Sequence, residues 1–215
     1  MAQLFRHLPH PRRRHLLQQS ADESGWNAVR DAPALMLPPE RVLLYAIVRG
    51  LQPRRLLEIG THKGGSTLII CAALDEIGDG LVACIDPNPV IDPQDWERVA
   101  HRATMIVGSS PDAIGGAADV AGGGFDFVLI DGDHEYKGVR RDIDGVLPRL
   151  APDSYLLFHD SHYWQIGQAI DEAVTDNPSL VDCGTLSRAT ANEDRTESGH
   201  AVVWGGLRLL RYAGA

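Results

Sequence analysis

The sequence predicts an α/β fold: a three-layer sandwich built on a mostly parallel seven-stranded sheet with a C-terminal antiparallel hairpin. Three observations predict it. Short, continuously apolar runs recur along the chain, as strands buried on both faces do. Between them lie segments whose apolar residues return at steps of three and four, the mark of helices that cover a core. After residue 180 the pattern changes, and two strand-like runs follow one another across a polar loop.

Taken in order, Ser20-Ala-Asp-Glu23 fits a capping box and predicts a short helix. Pro38-Pro39-Glu40 opens an apolar helical segment, Val42 to Val48, expected to stop at Gly50, and Pro53 closes the region. Strands are expected at Leu56 to Ile59, Leu81 to Ile85, Thr104 to Val107, Phe125 to Ile130 and Tyr155 to Phe158. Crossover helices are expected at Ser66 to Ile77, Pro93 to Arg102, Glu135 to Leu150 and Trp164 to Val174. Strands alternating with helices imply parallel pairing with helices on both faces. Leu180 to Leu186 and Ala201 to Leu210 are expected to pair as a hairpin at the sheet edge. The reading is one domain, residues 38–215, preceded by an arm over residues 1–37.

At 215 residues, 44% hydrophobic and 23% charged, the chain has the composition of an ordinary globular domain. Such a length hides roughly 70% of the unfolded surface, enough for a core without disulfide or metal staples. Cys71, Cys84 and Cys183 form no CxxC pair, and two of them lie in apolar runs, which favours core thiols in a reducing, cytoplasmic setting. No apolar stretch approaches the roughly 20 residues that cross a bilayer. Arg6, Arg12, Arg13 and Arg14 give residues 1–21 a charge of +4, so the rest carries −13 of the formal −9. The Arg-rich, acid-poor head could also be read as a transit peptide, although it lacks the apolar core of a secretory signal. An acidic body repels a phosphate backbone, which argues against nucleic acid and for a small-molecule substrate.

In open parallel sheets, ligands sit outside the carboxyl ends of the strands. Four apolar runs end abruptly in polar residues: Gly60-Thr-His-Lys-Gly64-Gly65-Ser66, Asp86, Asp131-Gly-Asp133-His134 and His159-Asp160-Ser161-His162. The first joins a strand to a helix N-terminus through glycines, so backbone N–H groups can meet a carboxylate or phosphate. It is not a GxGxxG dinucleotide fingerprint, since His62 stands at the second glycine, nor a phosphate-binding P-loop. Asp86 ends the second strand 26 positions after Gly60, where an acid can accept both hydroxyls of a ribose. Turn and acid together point to an adenosine-containing ligand.

Leu57-Glu58-Ile59-Gly60-Thr61-His62-Lys63-Gly64-Gly65-Ser66-Thr67 resembles motif I of class I S-adenosylmethionine-dependent methyltransferases, which have a Rossmann-like fold. With Phe125 to Tyr136 and Tyr155 to Asp160, the chain resembles methyltransferase family 24 and related metal-dependent O-methyltransferases of sugars and macrolides, over residues 38 to 175. The resemblance implies that Glu58, Gly60, Thr61, Gly64 and Ser66 hold the methionine part of the cofactor. It implies that Asp86 holds the ribose, that Ser109 flanks the adenine and that Asp131 borders the cofactor. Asp131 and Asp160 match positions that bind a divalent ion, a hard oxygen pair suited to Mg²⁺. The chain departs from the pattern at His159, where many relatives carry a second acid.

His134, three residues after Asp131, is the candidate base, because a group with an unperturbed pKa near 6.5 can take a proton at neutral pH. His159 and His162 compete for the role, and Asp133 is read as a helix cap. The implied reaction is O-methylation of a small hydroxylated acceptor, a sugar, polyketide or phenol, with Mg²⁺ assistance; a homodimer is open. The alternative keeps the fold and the cofactor but not the reaction, as an accessory or binding protein. The Trp26 segment, the Pro87 to Trp96 loop and Tyr163-Trp164 are the candidates for contacting the acceptor.

Overall fold

The computed structural model describes residues 23–191, 193–195 and 201–214. The arginine-rich head, and Ser20 to Asp22 of the capping box, lie outside them. Chain order is α1 (Glu23–Asp31), α2 (Pro38–Leu51), β1 (Arg55–Ile59), α3 (Gly65–Ile77), β2 (Leu81–Asp86), α4 (Pro93–Val99) and β3 (Ala103–Val107). Then come α5 (Ile114–Ala121), β4 (Phe125–Ile130), α6 (Tyr136–Val146), a 3₁₀ turn at Leu147–Arg149, β5 (Leu150–Phe158) and α7 (Trp164–Asp176). The last strands are β6 (Leu180–Ser187), β7 (Glu193–Arg195), β8 (Ala201–Val203) and β9 (Leu207–Tyr212). The main sheet has seven strands in the order β3-β2-β1-β4-β5-β9-β6; β1 to β5 pair in parallel and β9 runs antiparallel to both neighbours. The strand order reverses between β1 and β4, which opens a crevice over their carboxyl ends.

The expected sandwich is present. Alternate residues of each strand feed two cores: Leu57, Ile59, Val128 and Phe158 pack under α5, α6 and α7, while Leu56, Phe127, Leu129 and Leu157 pack under α1 to α4. Gly60 has φ 89°, and a Cβ there would collide with the Asp131 carbonyl, so only glycine lets β1 turn away this close to β4.

Some boundaries differ from expectation. Helix α2 runs through Gly50 and ends where Gln52 turns left-handed before Pro53, its N–H bonded to the Val48 carbonyl. Helices α4 and α6 are shorter than their apolar spacing suggests, β5 starts five residues earlier at Leu150, and α5 carries no period strong enough to be read. The tail is the largest correction. The expected strand Ala201 to Leu210 breaks at Gly205 and Gly206, whose φ values are 95° and 92°. Its first part, β8, pairs with β7 in a separate two-stranded ladder, and its second, β9, inserts between β5 and β6. The expected hairpin at the sheet edge is present, formed by β6 and β9, with β6 as the edge strand and β9 between it and β5.

Candidate active site

The strand ends border a cavity of about 880 Å³. Its first wall is the turn from Gly60 to Ser66. The N-cap of α3 is Gly64, in the left-handed region and without a side-chain cap bond, and Gly65 and Ser66 of the first turn line the cavity. Beneath the turn Glu58 is fully buried, accepting from Ser66 Oγ and Thr67 Oγ1 at 2.5 Å each. Burial pushes the Glu58 carboxyl up, and those hydroxyls offset part of the rise. Glu58 thus supports the turn from below; it is not among the residues that line the cavity.

Asp86 lines the cavity and holds the turn from the side. Its Oδ2 accepts the backbone N–H groups of Thr61 at 3.0 Å and His62 at 2.7 Å, and its Oδ1 accepts that of Asn88 at 2.7 Å. His62 sits at φ 46°, so this carboxylate fixes a backbone shape that an L-residue seldom adopts. Pro87, Asn88, Ser109 and Ser110 continue the wall.

The opposite wall carries the charge. Asp131, His134 and Asp160 each offer one ligand atom, and these atoms lie within 4.8 Å of one another. His134 Nε2 is 3.1 Å from Asp160 Oδ2 and 3.9 Å from Asp131 Oδ1, while its ring meets Trp204 edge-on at 5.3 Å. The Asp160 bond chiefly raises the His134 pKa, against the opposing effect of burial. Asp160 lies at φ 51° and accepts the Gly205 N–H at 2.5 Å; burial would raise its pKa, but His134 and His159 together hold it well below the usual range. Asp133 Oδ1 accepts the Glu135 N–H just ahead of α6, but the N-cap of that helix is Glu135, without a side-chain cap bond, so Asp133 is not the helix cap that the sequence suggests.

His159 is not a gap in the acid pattern but the centre of a network. Its Nδ1 lies 3.0 Å from Asp131 Oδ1 and 3.3 Å from Asp160 Oδ2, and its Nε2 lies 3.1 Å from Glu40 Oε2. Burial opposes its charge, but three carboxylates outweigh burial and raise its pKa. Glu40, from α2, also accepts from the Leu37 and Gly206 N–H groups and from Ser187 Oγ.

Several residues at the cavity lay outside the sequence reading. Glu40 reads as an ordinary helix N-terminal acid, and Trp204 as one residue of a strand. Asp142, on α6, is masked by the charged run Arg140-Arg-Asp-Ile-Asp144. Pro33 to Leu37 also line the cavity, held by Arg41, which donates to the carbonyls of Ala32, Ala34 and Met36 at 2.9, 2.5 and 2.8 Å. Of the residues expected to contact an acceptor, Trp26 packs against Tyr45, and Tyr163 packs against Trp204 and Trp164; Trp26, Trp96, Tyr163 and Trp164 do not line the cavity, whereas Pro87 and Asn88 do. His162 packs over Gly206 and does not line it either.

Comparison with known proteins agrees with this geometry. Residues 57–161 match a family model described as a methyltransferase domain. The chain is 28% identical over 153 residues to the uncharacterized protein y4gI of Sinorhizobium fredii, covering 62% of this chain and 16% of that protein. It is 33% identical over 93 residues to a transmembrane O-methyltransferase of Pan troglodytes, covering 41% of this chain and 32% of that one. The chain therefore spans a sixth to a third of these curated relatives. In three dimensions it is similar to the O-methyltransferase TomG from Streptomyces achromogenes, solved in complex with SAM, with a TM-score of 0.63, 21% identity, and 94% and 95% of the two chains covered. Residues 57–161 are thus similar to a methyltransferase domain, and the chain shares the fold of the solved O-methyltransferase.

Proposed function

We propose that the chain transfers a methyl group from S-adenosylmethionine to a hydroxyl of a small molecule, with His134 accepting the hydroxyl proton. The observation that carries this reading is the joining, in one cavity, of the Gly60 to Ser66 turn, Asp86 and Ser109 on one wall with Asp131, His134 and Asp160 on the other. The residues fit the cofactor. The uncapped N-terminus of α3 suits a carboxylate, and the rim offers an acidic side chain for ribose hydroxyls. When bound, S-adenosylmethionine supplies an already electrophilic methyl on sulfur, so what remains for the chain is to align an oxygen and make it nucleophilic.

Alignment falls to the walls. Pro33 to Leu37 and Trp204 line the same cavity as His134, and holding an acceptor there in line can lower the barrier by several kcal/mol. His134 is partly exposed and, among the described residues, hydrogen-bonded through Nε2 alone, so its other nitrogen can face an incoming hydroxyl. Asp160 then stabilises the imidazolium that results.

Asp131 and Asp160, with His134 beside them, fit a divalent ion in number and spacing, Mg²⁺ being the choice for their oxygens. Such an ion would supply positive charge that acidifies a hydroxyl. The acceptor is expected among sugars, polyketides and phenols, and the cytoplasm is the compartment that the buried thiols suit. Incubating the full chain with labelled S-adenosylmethionine and an acceptor panel, with and without EDTA, tests the reading. Labelled product with at least one acceptor supports it, and binding without transfer across the panel supports the accessory role.

A further inference from the structure

Glu40 is an acid at the cavity that the chemistry above leaves unused. It is the third residue of α2, where an acid ordinarily caps the helix by accepting one backbone N–H, here that of Leu37 at 3.0 Å. Glu40 does more than cap. It is fully buried, and it collects three further donors from distant segments: the Gly206 N–H at 2.6 Å, Ser187 Oγ at 3.2 Å and His159 Nε2 at 3.1 Å. Two of the four bonds fall on each carboxylate oxygen, so an amide, with one oxygen, cannot replace them all.

His159 passes this anchoring on. The neighbours of both its ring nitrogens are carboxylates, so both donate: Nε2 to Glu40, and Nδ1 to Asp131 Oδ1 at 3.0 Å with Asp160 Oδ2 at 3.3 Å. The ring thereby clamps together two acids that follow different strands, β4 and β5. Held through Nδ1 alone it could swing about that contact; Glu40 pins its far end from α2. A buried charged network is a poor way merely to fasten a helix, since apolar residues of similar volume do so without the cost of desolvation. Glu40 and His159 both line the cavity, which points to a use in the site.

We propose that Glu40 is a positioning residue: acting through His159, it fixes the directions of the Asp131 and Asp160 carboxylates and so sets how tightly that pair holds a divalent cation. The inference rests on the divalent-ion reading above and adds to it the residue that orients the two acids.

The test is titration of the full chain with Mn²⁺, followed by electron paramagnetic resonance, and with S-adenosylhomocysteine, followed by calorimetry. Glu40→Gln keeps the volume but turns an amide donor toward N–H groups that need an acceptor. It is expected to weaken Mn²⁺ binding by about tenfold to a hundredfold, the range for hydrogen-bond partners of metal-binding side chains, while S-adenosylhomocysteine affinity stays within a few fold. Glu40→Asp keeps the charge but draws it back from His159, and should lose Mn²⁺ affinity as well. His159→Gln should lose about as much as Glu40→Gln, and the double variant little more, because the two act in series. Val48→Ala, buried on the same helix and not lining the cavity, loosens α2 and should keep native Mn²⁺ affinity. An equal loss in Val48→Ala overturns the proposal, as do losses that simply add in the double variant. A loss in Glu40→Gln with none in Glu40→Asp assigns the effect to charge and overturns positioning. If Glu40→Gln does not fold, Glu40→Asp decides. A native chain that binds S-adenosylhomocysteine but no Mn²⁺ overturns this proposal and the divalent-ion reading together, whereas Mn²⁺ binding unchanged by either Glu40 substitution overturns this one alone.

Discussion

Glu40 Oε2 lies 3.1 Å from Nε2 of His159, tying α2 to the end of β5 across 119 residues of sequence. Both side chains are buried, and burial opposes both charges; His159 holds the Glu40 carboxyl below its usual range, and Glu40 joins Asp131 and Asp160 in raising the His159 pKa. Removing one member of a buried pair leaves an uncompensated charge, which costs far more than the net worth of the pair. Glu40→Ala is therefore expected to lower stability by about 3 to 5 kcal/mol, read from urea denaturation. Glu40→Gln, which keeps an acceptor, should cost less. A Glu40→Ala protein as stable as the parent would contradict the network.

Asp86 is expected to be as important to the shape of the turn as to a ligand. Asp86→Ala strands the N–H groups of Thr61, His62 and Asn88, a loss of roughly 2 to 4 kcal/mol. Thermal denaturation should show the drop in the empty protein, and titration with S-adenosylhomocysteine should show weakened binding. A variant that loses affinity but melts with the parent would mean that Asp86 acts on the ligand alone.

Asp131→Ala and Asp160→Ala should abolish turnover while leaving S-adenosylhomocysteine binding within a few fold, since the glycine turn and Asp86 remain. Activity should also fall in EDTA and return with Mg²⁺. Full activity in EDTA would leave His134 and alignment as the whole of the chemistry.

Burial pushes the Asp142 carboxyl up from 3.8 to about 6. A carboxyl that holds its proton more tightly when folded penalises the fold once it must ionise. The penalty is absent below about pH 4, grows between 4 and 6, and is complete above 6. Asp142→Asn should therefore stabilise the ligand-free protein at pH 7, by at most roughly 3 kcal/mol, and by nothing at pH 4. Urea midpoints across that range measure it, and a gap that stays constant with pH would assign the effect to packing instead.

Cys71 and Cys84 are buried, and desolvation pushes both thiols up, so neither offers a thiolate near neutral pH. Cys183 is exposed. A thiol reagent should modify one cysteine of the native protein quickly and the other two only after denaturation. Rapid native labelling of Cys84 would mean that the core beneath Glu58 opens.

Much of the fold was legible because its strands are buried on both faces and read as unbroken apolar runs, from Leu56 to Phe158. The small helix α5, rich in Ala and Gly, has no polar face to give it a period. The site was legible where polar residues end those runs, at Asp86, Asp131 and Asp160. It was not legible where a partner comes from elsewhere in the chain. Glu40 looks like a solvent-facing helix acid until Gly206 and His159 are brought to it, and His159 looks like a lost ligand until three carboxylates surround it. Asp142 sits among surface charges in the sequence and is buried only because α6 packs against the loop after β3.

The place of β9 between β5 and β6 has a consequence for synthesis. Residues 207–212 leave the ribosome after β1 to β6, yet they fill the interior of the sheet, and Gly205 and Gly206 just before them complete the partners of Asp160 and Glu40. A nascent chain can assemble the parallel half, including the turn at Gly60, while β5 still has an open edge and Glu40 still lacks its C-terminal partners. The Gly60 wall of the cavity can thus form before the Asp160 wall, and the two meet only when β9 closes the gap.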